Sequence, residues 1–92
     1  MSNQRKAIVS VIGKDQVGII AKVTTVLAEE NINILDISQT ILQNFFTMVM
    51  VIDVANLEHL EPIQQKLNDL AESLGLSINL QLEEIFKAMH RV

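Results

Sequence analysis

The sequence predicts an α+β domain whose elements follow the order β-α-β-β-α-β. Four segments have the β-branched composition or the alternating polarity of strands, and two other segments have apolar residues at helical spacing. Right-handed crossovers turn this order into the ferredoxin-like fold, a four-stranded antiparallel sheet with both helices on one face and strand order 4-1-3-2. We expect a single domain over 1–92, with a core at 6–84 and a short helical tail at 85–92.

The first strand and the first helix come from the beginning of the chain. The segment KAIVSVI at 6–12 is rich in β-branched residues and ends at Gly13. From 17 to 30 the apolar residues change to a helical period. The predicted buried face of this helix consists of Ile20, Val23, Leu27 and partly Thr24. Asn31 tolerates the left-handed conformation and is expected to end the helix.

The second and third strands are predicted to form a hairpin. NINILDISQTIL at 31–42 and FFTMVMVIDV at 45–54 are both strand-like, and Gln43 and Asn44 separate them. A two-residue connection of this kind suits a tight turn between antiparallel strands.

The second helix is expected to begin near Pro62, since a missing N–H group costs nothing in a first turn, and to end at Gly75. Its apolar face consists of Leu60, Ile63, Leu67, Leu70 and Leu74. Because a helix-pairing seam usually persists for about three or four heptads, packing on the sheet is favoured over pairing with another helix. LSINLQLEE at 76–84 then alternates apolar and polar residues, which predicts a half-buried fourth strand.

The polarity of the strands agrees with the predicted strand order. AIVSVI at 7–12 and TMVMVI at 47–52 are apolar on both faces, as central strands should be, whereas the second and fourth strands are polar on one face. Since the helices cover one face, we expect an apolar patch on the other, formed by Ala7, Val9 and Val11 with Thr47, Val49 and Val51, or by their even-numbered neighbours. Such patches usually mark interfaces, so we expect a homodimer or larger assembly in which the tail covers the patch in its own chain or in a partner.

The composition excludes several classes of function. Seven Lys and Arg against eleven Asp and Glu give a net charge of -4, and this surface argues against nucleic acid as a partner. The absence of cysteine removes disulfides, thiol catalysis and zinc–thiolate sites, and no apolar run approaches the ~18 residues of a membrane span. We therefore expect a cytoplasmic protein with no membrane partner and no cofactor.

No catalytic constellation stands out in the sequence. Glu83 and Glu84 are adjacent on the predicted fourth strand, so they would point to opposite faces and form no acid–base pair. His59 and His90 are best interpreted as solvated surface residues. The loop after the first strand lacks the arginine of acylphosphatases, and the consecutive Phe45 and Phe46 make no stacking platform for RNA. We expect a protein that is not an enzyme.

The loop after the first strand has two glycines at the spacing of a phosphate-binding loop. That motif requires Lys and Ser or Thr after its second glycine, but Ile19 and Ile20 follow Gly18 here. Aliphatic side chains neither neutralise a phosphate nor ligate magnesium, so a nucleotide site is not predicted. Gly18 without a Cβ still permits close approach of the backbone to a neighbouring element or to a ligand.

The segment GKDQVGIIAKVTTVLAEENINILDISQT, 13–40, resembles the ACT domain. The family motif is a D-x-x-G loop after strand one, an aliphatic helix, and G/N-x-N-I entering strand two. The tail and the lack of an attached enzyme resemble small stand-alone bacterial ACT proteins. The loop also resembles the ACT modules of the glycine-cleavage repressor and of formyltetrahydrofolate deformylase. The resemblance implies a regulatory module that binds an amino-acid-like ligand between paired domains and acts on a metabolic enzyme or regulator.

The resemblance also implies a composite site, built by the loop of one chain and the start of strand two of a neighbouring chain. Its candidate residues are Gly13, Asp15, Gln16, Val17, Gly18, Ile19, Asn33, Ile34 and Leu35. Many members of the family have Pro at the position of Val17 and some amino-acid binders have Asn at that of Asp15, whereas Asn33 matches.

The hypothesis for this site assigns the ligand carboxylate to the helix amides near Gly18 and Ile19, and the ligand ammonium to Asp15 and Asn33. Purely structural roles remain the alternative: a helix cap for Asp15, a turn for Gly18 and a turn bond for Asn33. A ligand-free module that binds another protein is the alternative function.

Overall fold

The chain folds into a four-stranded antiparallel sheet with two helices packed on one face. The computed structural model describes residues 5–14, 16–55 and 57–89. The elements are β1 (Lys6–Lys14), α1 (Ile19–Glu29), β2 (Asn33–Leu42), β3 (Phe45–Asp53), α2 (Glu61–Leu74), β4 (Ser77–Leu82) and α3 (Glu83–Met89). The sheet order β2-β3-β1-β4 confirms the predicted fold and strand order.

The core lies between the sheet and the first two helices and is aliphatic, as the composition requires. Every buried residue in it is apolar, and among the described residues no polar or charged side chain is buried. α1 contributes Ile19, Val23 and Leu27. The predicted Ile20 is only half-buried, because Ile19 and not Ile20 continues the four-residue spacing of the buried face. α2 contributes Ile63, Leu67 and Ala71, so its apolar face packs on the sheet and does not form a pairing seam.

Both helices end as the sequence predicts, in left-handed residues. Asn31 has φ 58° after α1, and Gly75 has φ 70° after α2. The backbone N–H groups that follow close a Schellman motif at each end, with Ile32 donating to Leu27 and Leu76 donating to Ala71. Pro62 lies in the first turn of α2, where its missing donor leaves no bond unmade.

The exposed pair formed by Lys66 and Glu30 joins α2 to α1. The Lys66 ammonium donates to the Glu30 carboxylate, and this hydrogen bond, followed by the charge of Glu30, raises the pKa of Lys66. Exposed ion pairs contribute little to stability. Apolar packing therefore holds the helices on the sheet.

The register of the sheet corrects the predicted grouping of residues on its two faces. Each β1–β3 pair joins an odd-numbered residue to an even-numbered one, as in Val9 opposite Met50. Odd positions of β1 therefore share a face with even positions of β3. The sequence-based grouping of odd with odd was wrong, because a sequence does not show where the two strands come into register. The helix-free surface, called the open face here, carries Ile8, Ser10 and Ile12 of β1 beside Thr47, Val49 and Val51 of β3.

A β-bulge at the start of β2 resets its alternation. Ile34 pairs with Ile52 and Asp36 pairs with Val51, so Leu35 is an extra residue without a position opposite it on β3. After the bulge, Ile37, Gln39 and Ile41 lie on the helix side, while Asp36, Ser38, Thr40 and Leu42 lie on the open face. β2 is an edge strand, and all of its residues from 35 to 42 are exposed.

The third helix lies at the end of the open face where β4 finishes. α3 contacts β1 and β4, and Ile8 on the open face of β1 is only 6% exposed although it lies outside the main core cluster. We infer that α3 covers Ile8. Glu83 and Glu84 form the first turn of this helix, so their assignment to the fourth strand was wrong.

None of the helices among the described residues has the length and apolar character needed to cross a bilayer.

Replacing Leu67 with Ala tests whether core packing dominates the stability. Leu67 is fully buried, and we expect the free energy of unfolding to fall by about 2–5 kcal/mol in urea titrations. Ser73→Ala, at an exposed position of the same helix, should change it by less than about 0.5 kcal/mol. Equal effects of the two variants would contradict this description of the core.

Candidate ligand-binding site

The loop between β1 and α1 presents the beginning of a helix behind a glycine. Gly18 has φ 88°, a left-handed conformation, and its carbonyl accepts the first helical hydrogen bond, from the N–H group of Lys22 at 3.0 Å. The first amides of a helix have no partner within it, so those of Ile19, Ile20 and Ala21 are available to a ligand or to solvent. Space beside Gly18 is open, since a Cβ there would meet only the far end of Lys22. This turn therefore requires glycine for its backbone conformation.

Two other loop residues have clear structural partners. Gln16 Nε2 donates to the carbonyl oxygen of Leu74 at 2.9 Å, which ties the loop to the last turn of α2. Gly13 packs against Leu76, the second residue after that helix, because a Cβ at position 13 would lie 2.5 Å from Leu76 Cδ2. Val17 is 99% exposed and makes no packing contribution. The part of the loop that precedes its exposed tip is therefore anchored to the end of α2 and to the residues that follow it.

A groove of about 220 Å³, the loop groove, lies between this loop and the helix side of β2. Its lining residues are Gln16, Gly18, Ile19, Ile20, Ala21, Gln39, Ile41 and Phe46. None of these side chains is ionisable, so the groove offers amide groups and apolar surface. Gln39 and Ile41 are functional candidates that the sequence interpretation missed. The sequence feature that could have identified them is the polar Gln39 between Ile37 and Ile41 on one side of β2. Recognising that this side faces the helices requires the strand register.

The predicted residues of β2 lie elsewhere. Asn33 and Ile34 line a second groove, of about 400 Å³, with Thr24, Thr25, Ala28 and Ile32. We call this second groove the entry groove. Leu35 lines neither groove and forms the bulge. Asn33 and Ile41 are eight residues apart on one strand, which corresponds to roughly 26 Å at ~3.3 Å per residue.

The two parts of the predicted site are thus not brought together within one chain. Gly18, Ile19 and Gln16 meet at the loop groove, Asn33 and Ile34 meet at the entry groove, and Gly13 and Val17 line neither. Asp15 lies outside the described residues. A site that used both parts would have to combine two chains.

The described residues show no arrangement for metal binding. No cluster of three or more His, Cys, Asp or Glu side chains occurs in that part of the chain. His59 is exposed, as expected, and His90 lies outside the described residues.

The fold, the glycine-led helix and the aliphatic core define an ACT domain. The family model described as ACT domain matches residues 5–81, and the chain belongs to this family. ACT domains are generally regulatory modules that bind small ligands. The resemblance read from the loop and the start of β2 is confirmed.

Relatives of about the same size are similar to this chain over nearly all of its length. A UPF0237 protein of Clostridium acetobutylicum is 51% identical over 88 residues, which is 95% of this chain and 99% of the relative. The solved structure of an ACT domain protein from Streptococcus pneumoniae has 38% identity and a TM-score of 0.80, and the match covers 92% of this chain and 97% of that one.

The fold also occurs as part of longer chains. A formyltetrahydrofolate deformylase from Pseudomonas syringae matches with TM-score 0.80 and 24% identity over 89% of this chain and 28% of its own. A structure described as a putative glycine cleavage system transcriptional repressor matches with TM-score 0.73 and 22% identity, over 88% of this chain and 47% of its own. These two likenesses show the fold alone. The regulatory subunit of aspartate kinase from Thermus thermophilus matches with TM-score 0.67 and 25% identity, over 84% of this chain and 50% of its own.

Substitutions of Gly18 test whether this position requires glycine because of its left-handed backbone conformation. Gly18→Ala should lower the free energy of unfolding by about 1–2 kcal/mol, because a Cβ disfavours the left-handed region. Gly18→Asn should cost clearly less, since Asn adopts this region more readily than Ala. Urea titrations of the three proteins provide the comparison, and an Asn variant as unstable as the Ala variant would contradict the conformational explanation.

Proposed function

We propose that this protein is a non-catalytic regulator that binds an amino-acid-like metabolite at sites shared by two chains paired along β2. The observation that supports it is the separation of the two predicted halves of the site along one exposed edge strand. A partner chain running the other way along this edge would bring them together.

The edge of β2 has few of the features that usually protect a free edge. The strand contains no Lys, Arg or Pro, and its charge is confined to Asp36 near the bulge. Ile37 and Ile41 on its helix side are 41% and 53% exposed, although this side of the neighbouring strand β3 is buried. A long exposed edge with a single charged residue and two exposed isoleucines on one side favours pairing with another strand.

Two copies related by a two-fold axis would pair their β2 strands antiparallel and keep all helices on the same side. In the antiparallel register that centres the pair on Ile37, Asn33 of one chain would lie near Ile41 of the other. The entry segment of each chain would then complete the loop groove of its partner. Ile37 would lie close to the two-fold axis.

The chemistry of the completed site suits a small zwitterion. The first amides of α1 favour a carboxylate, and the groove adds the neutral amide of Gln39. Asn33 of the partner and Asp15 are proposed to receive the ammonium group. The likeness to the regulatory subunit of a Thermus aspartate kinase supports a regulatory role, and we expect a metabolic enzyme or regulator in the cytoplasm as the responding partner. An adaptor that meets another protein without a ligand is the second candidate.

Replacing Ile37 with Lys tests the pairing of β2. Two lysines near the two-fold axis would repel each other, so the dissociation constant of the edge-paired dimer should rise at least tenfold in sedimentation velocity. Gln65→Lys, an exposed change on α2, serves as the matched control and should leave association unchanged. Unaltered association of Ile37→Lys would exclude β2 as the interface.

Calorimetry with a panel of amino acids tests the shared site. One member should bind wild type with one site per chain, and Asp15→Ala and Asn33→Ala should each weaken binding at least tenfold. A mixed dimer of these variants has one intact site and one site with both changes. After subunit exchange, an equimolar mixture should therefore recover about a quarter of the wild-type sites.

Failure of the mixture to bind would show that the two residues do not belong to one site across the dimer. If no amino acid, nucleobase or folate binds wild type or raises its melting temperature, the ligand proposal is wrong and the adaptor function is favoured.

A further inference from the structure

We propose that the open face of the sheet is a second interface between copies of this chain, in which the α3 helix of each copy lies over the exposed apolar end of the other. This proposal is independent of the ligand and of the β2 edge. It rests on the uneven cover of the open face, on the apolar residues left exposed and on the distribution of charge.

The open face is covered at one end and bare at the other. At the covered end, α3 packs against β1 and β4 and Ile8 is buried. At the opposite end, next to the turn between β2 and β3, three large apolar side chains remain accessible. This hairpin patch consists of Ile12, Leu42 and Phe45, which are 40%, 71% and 54% exposed.

The members of the hairpin patch are neighbours on one surface. Phe45 pairs with Leu42 on one side and with Lys14 on the other, and Ile12 pairs with Thr47 in the adjacent row. All of these positions point away from α1 and α2, so the patch belongs to neither the core nor the loop groove. Contiguous exposed apolar surface of this kind usually marks an interaction site.

A second copy matches the shape of this face. α3 contacts β1 and β4 at one end, where it is inferred to cover Ile8, and the hairpin patch is exposed at the other. If two open faces stack with their strands antiparallel, each raised helix lies over the bare end of the other copy. Ile85 of α3, which is 48% exposed, would then have the hairpin patch of the second copy available for contact. Because this arrangement is two-fold symmetric, it would bury the hairpin patches of both copies at once.

The charges favour the antiparallel arrangement over the parallel one. The described charges at the α3 end of the face are two basic residues, Arg5 and Lys6, and four acidic residues, Asp36, Asp53, Glu83 and Glu84. The described charge at the hairpin end is that of Lys14, which is exposed. Antiparallel stacking places the acidic end over Lys14, whereas parallel stacking would place two acidic ends together.

Exchange of charges between the two ends tests this interface. Lys14→Glu and Glu84→Lys should each raise the dissociation constant of the stacked dimer about tenfold, because each places like charges opposite one another. The double variant restores opposite charges and should return the constant to within about threefold of the parent protein. Lys22→Glu, an exposed change on α1, is the control for net charge and should have no effect.

The series is measured by sedimentation equilibrium in wild type and in the Ile37→Lys background, with circular dichroism to verify folding. In the Ile37→Lys background we expect a dimer whose dissociation constant changes with the charges at positions 14 and 84. In wild type we expect a tetramer that forms through both interfaces. If the single variants behave like Lys22→Glu, or if the double variant is weaker than either single variant, the stacked interface is excluded. If Ile37→Lys changes the association but the charge variants do not, the result concerns pairing along β2 and excludes the stacked interface.

Discussion

The placement of both helices on one face of the sheet is the constraint on which the rest of this molecule depends. It follows from two right-handed crossovers in a β-α-β-β-α-β chain, and it creates an aliphatic core on one side only. Among the described residues, two surfaces are left without cover: the edge strand β2 and the hairpin end of the open face. Within the described residues, α3 contacts β1 and β4 at the other end of the open face.

The proposed function depends on one of these uncovered surfaces, the edge strand β2. The loop that begins α1 supplies backbone amides, and the start of β2 supplies Asn33, but roughly 26 Å of strand separates the two in one chain. In the proposed function, regulation by a ligand is linked to assembly, because a ligand that contacts both chains would stabilise the pair by mass action. Under this proposal, the linkage would transmit a signal through a domain in which no ionisable side chain among the described residues is buried.

Much of this architecture could be predicted from the sequence, for reasons that individual residues illustrate. The strand order followed from the right-handed crossovers of a β-α-β-β-α-β chain, and the two-sided apolar character of AIVSVI and TMVMVI agreed with it. The helix ends followed from Asn31 and Gly75. What the sequence did not reveal depended on register. The bulge at Leu35 and the pairing of Val9 with Met50 determine which residues share a face, and only the paired strands define them. Gln39 was missed as a site residue for the same reason.

The central claim, that β2 pairs with a second copy, is tested most directly by amide hydrogen exchange of wild type at several protein concentrations. In a pair, the outward-pointing amides between Ile37 and Leu42 are hydrogen-bonded across the interface. We predict that these alternate amides are protected at high concentration and lose protection on dilution, while those of β1 stay protected throughout. Fast exchange of the β2 edge at every concentration, with β1 still protected, would contradict the account.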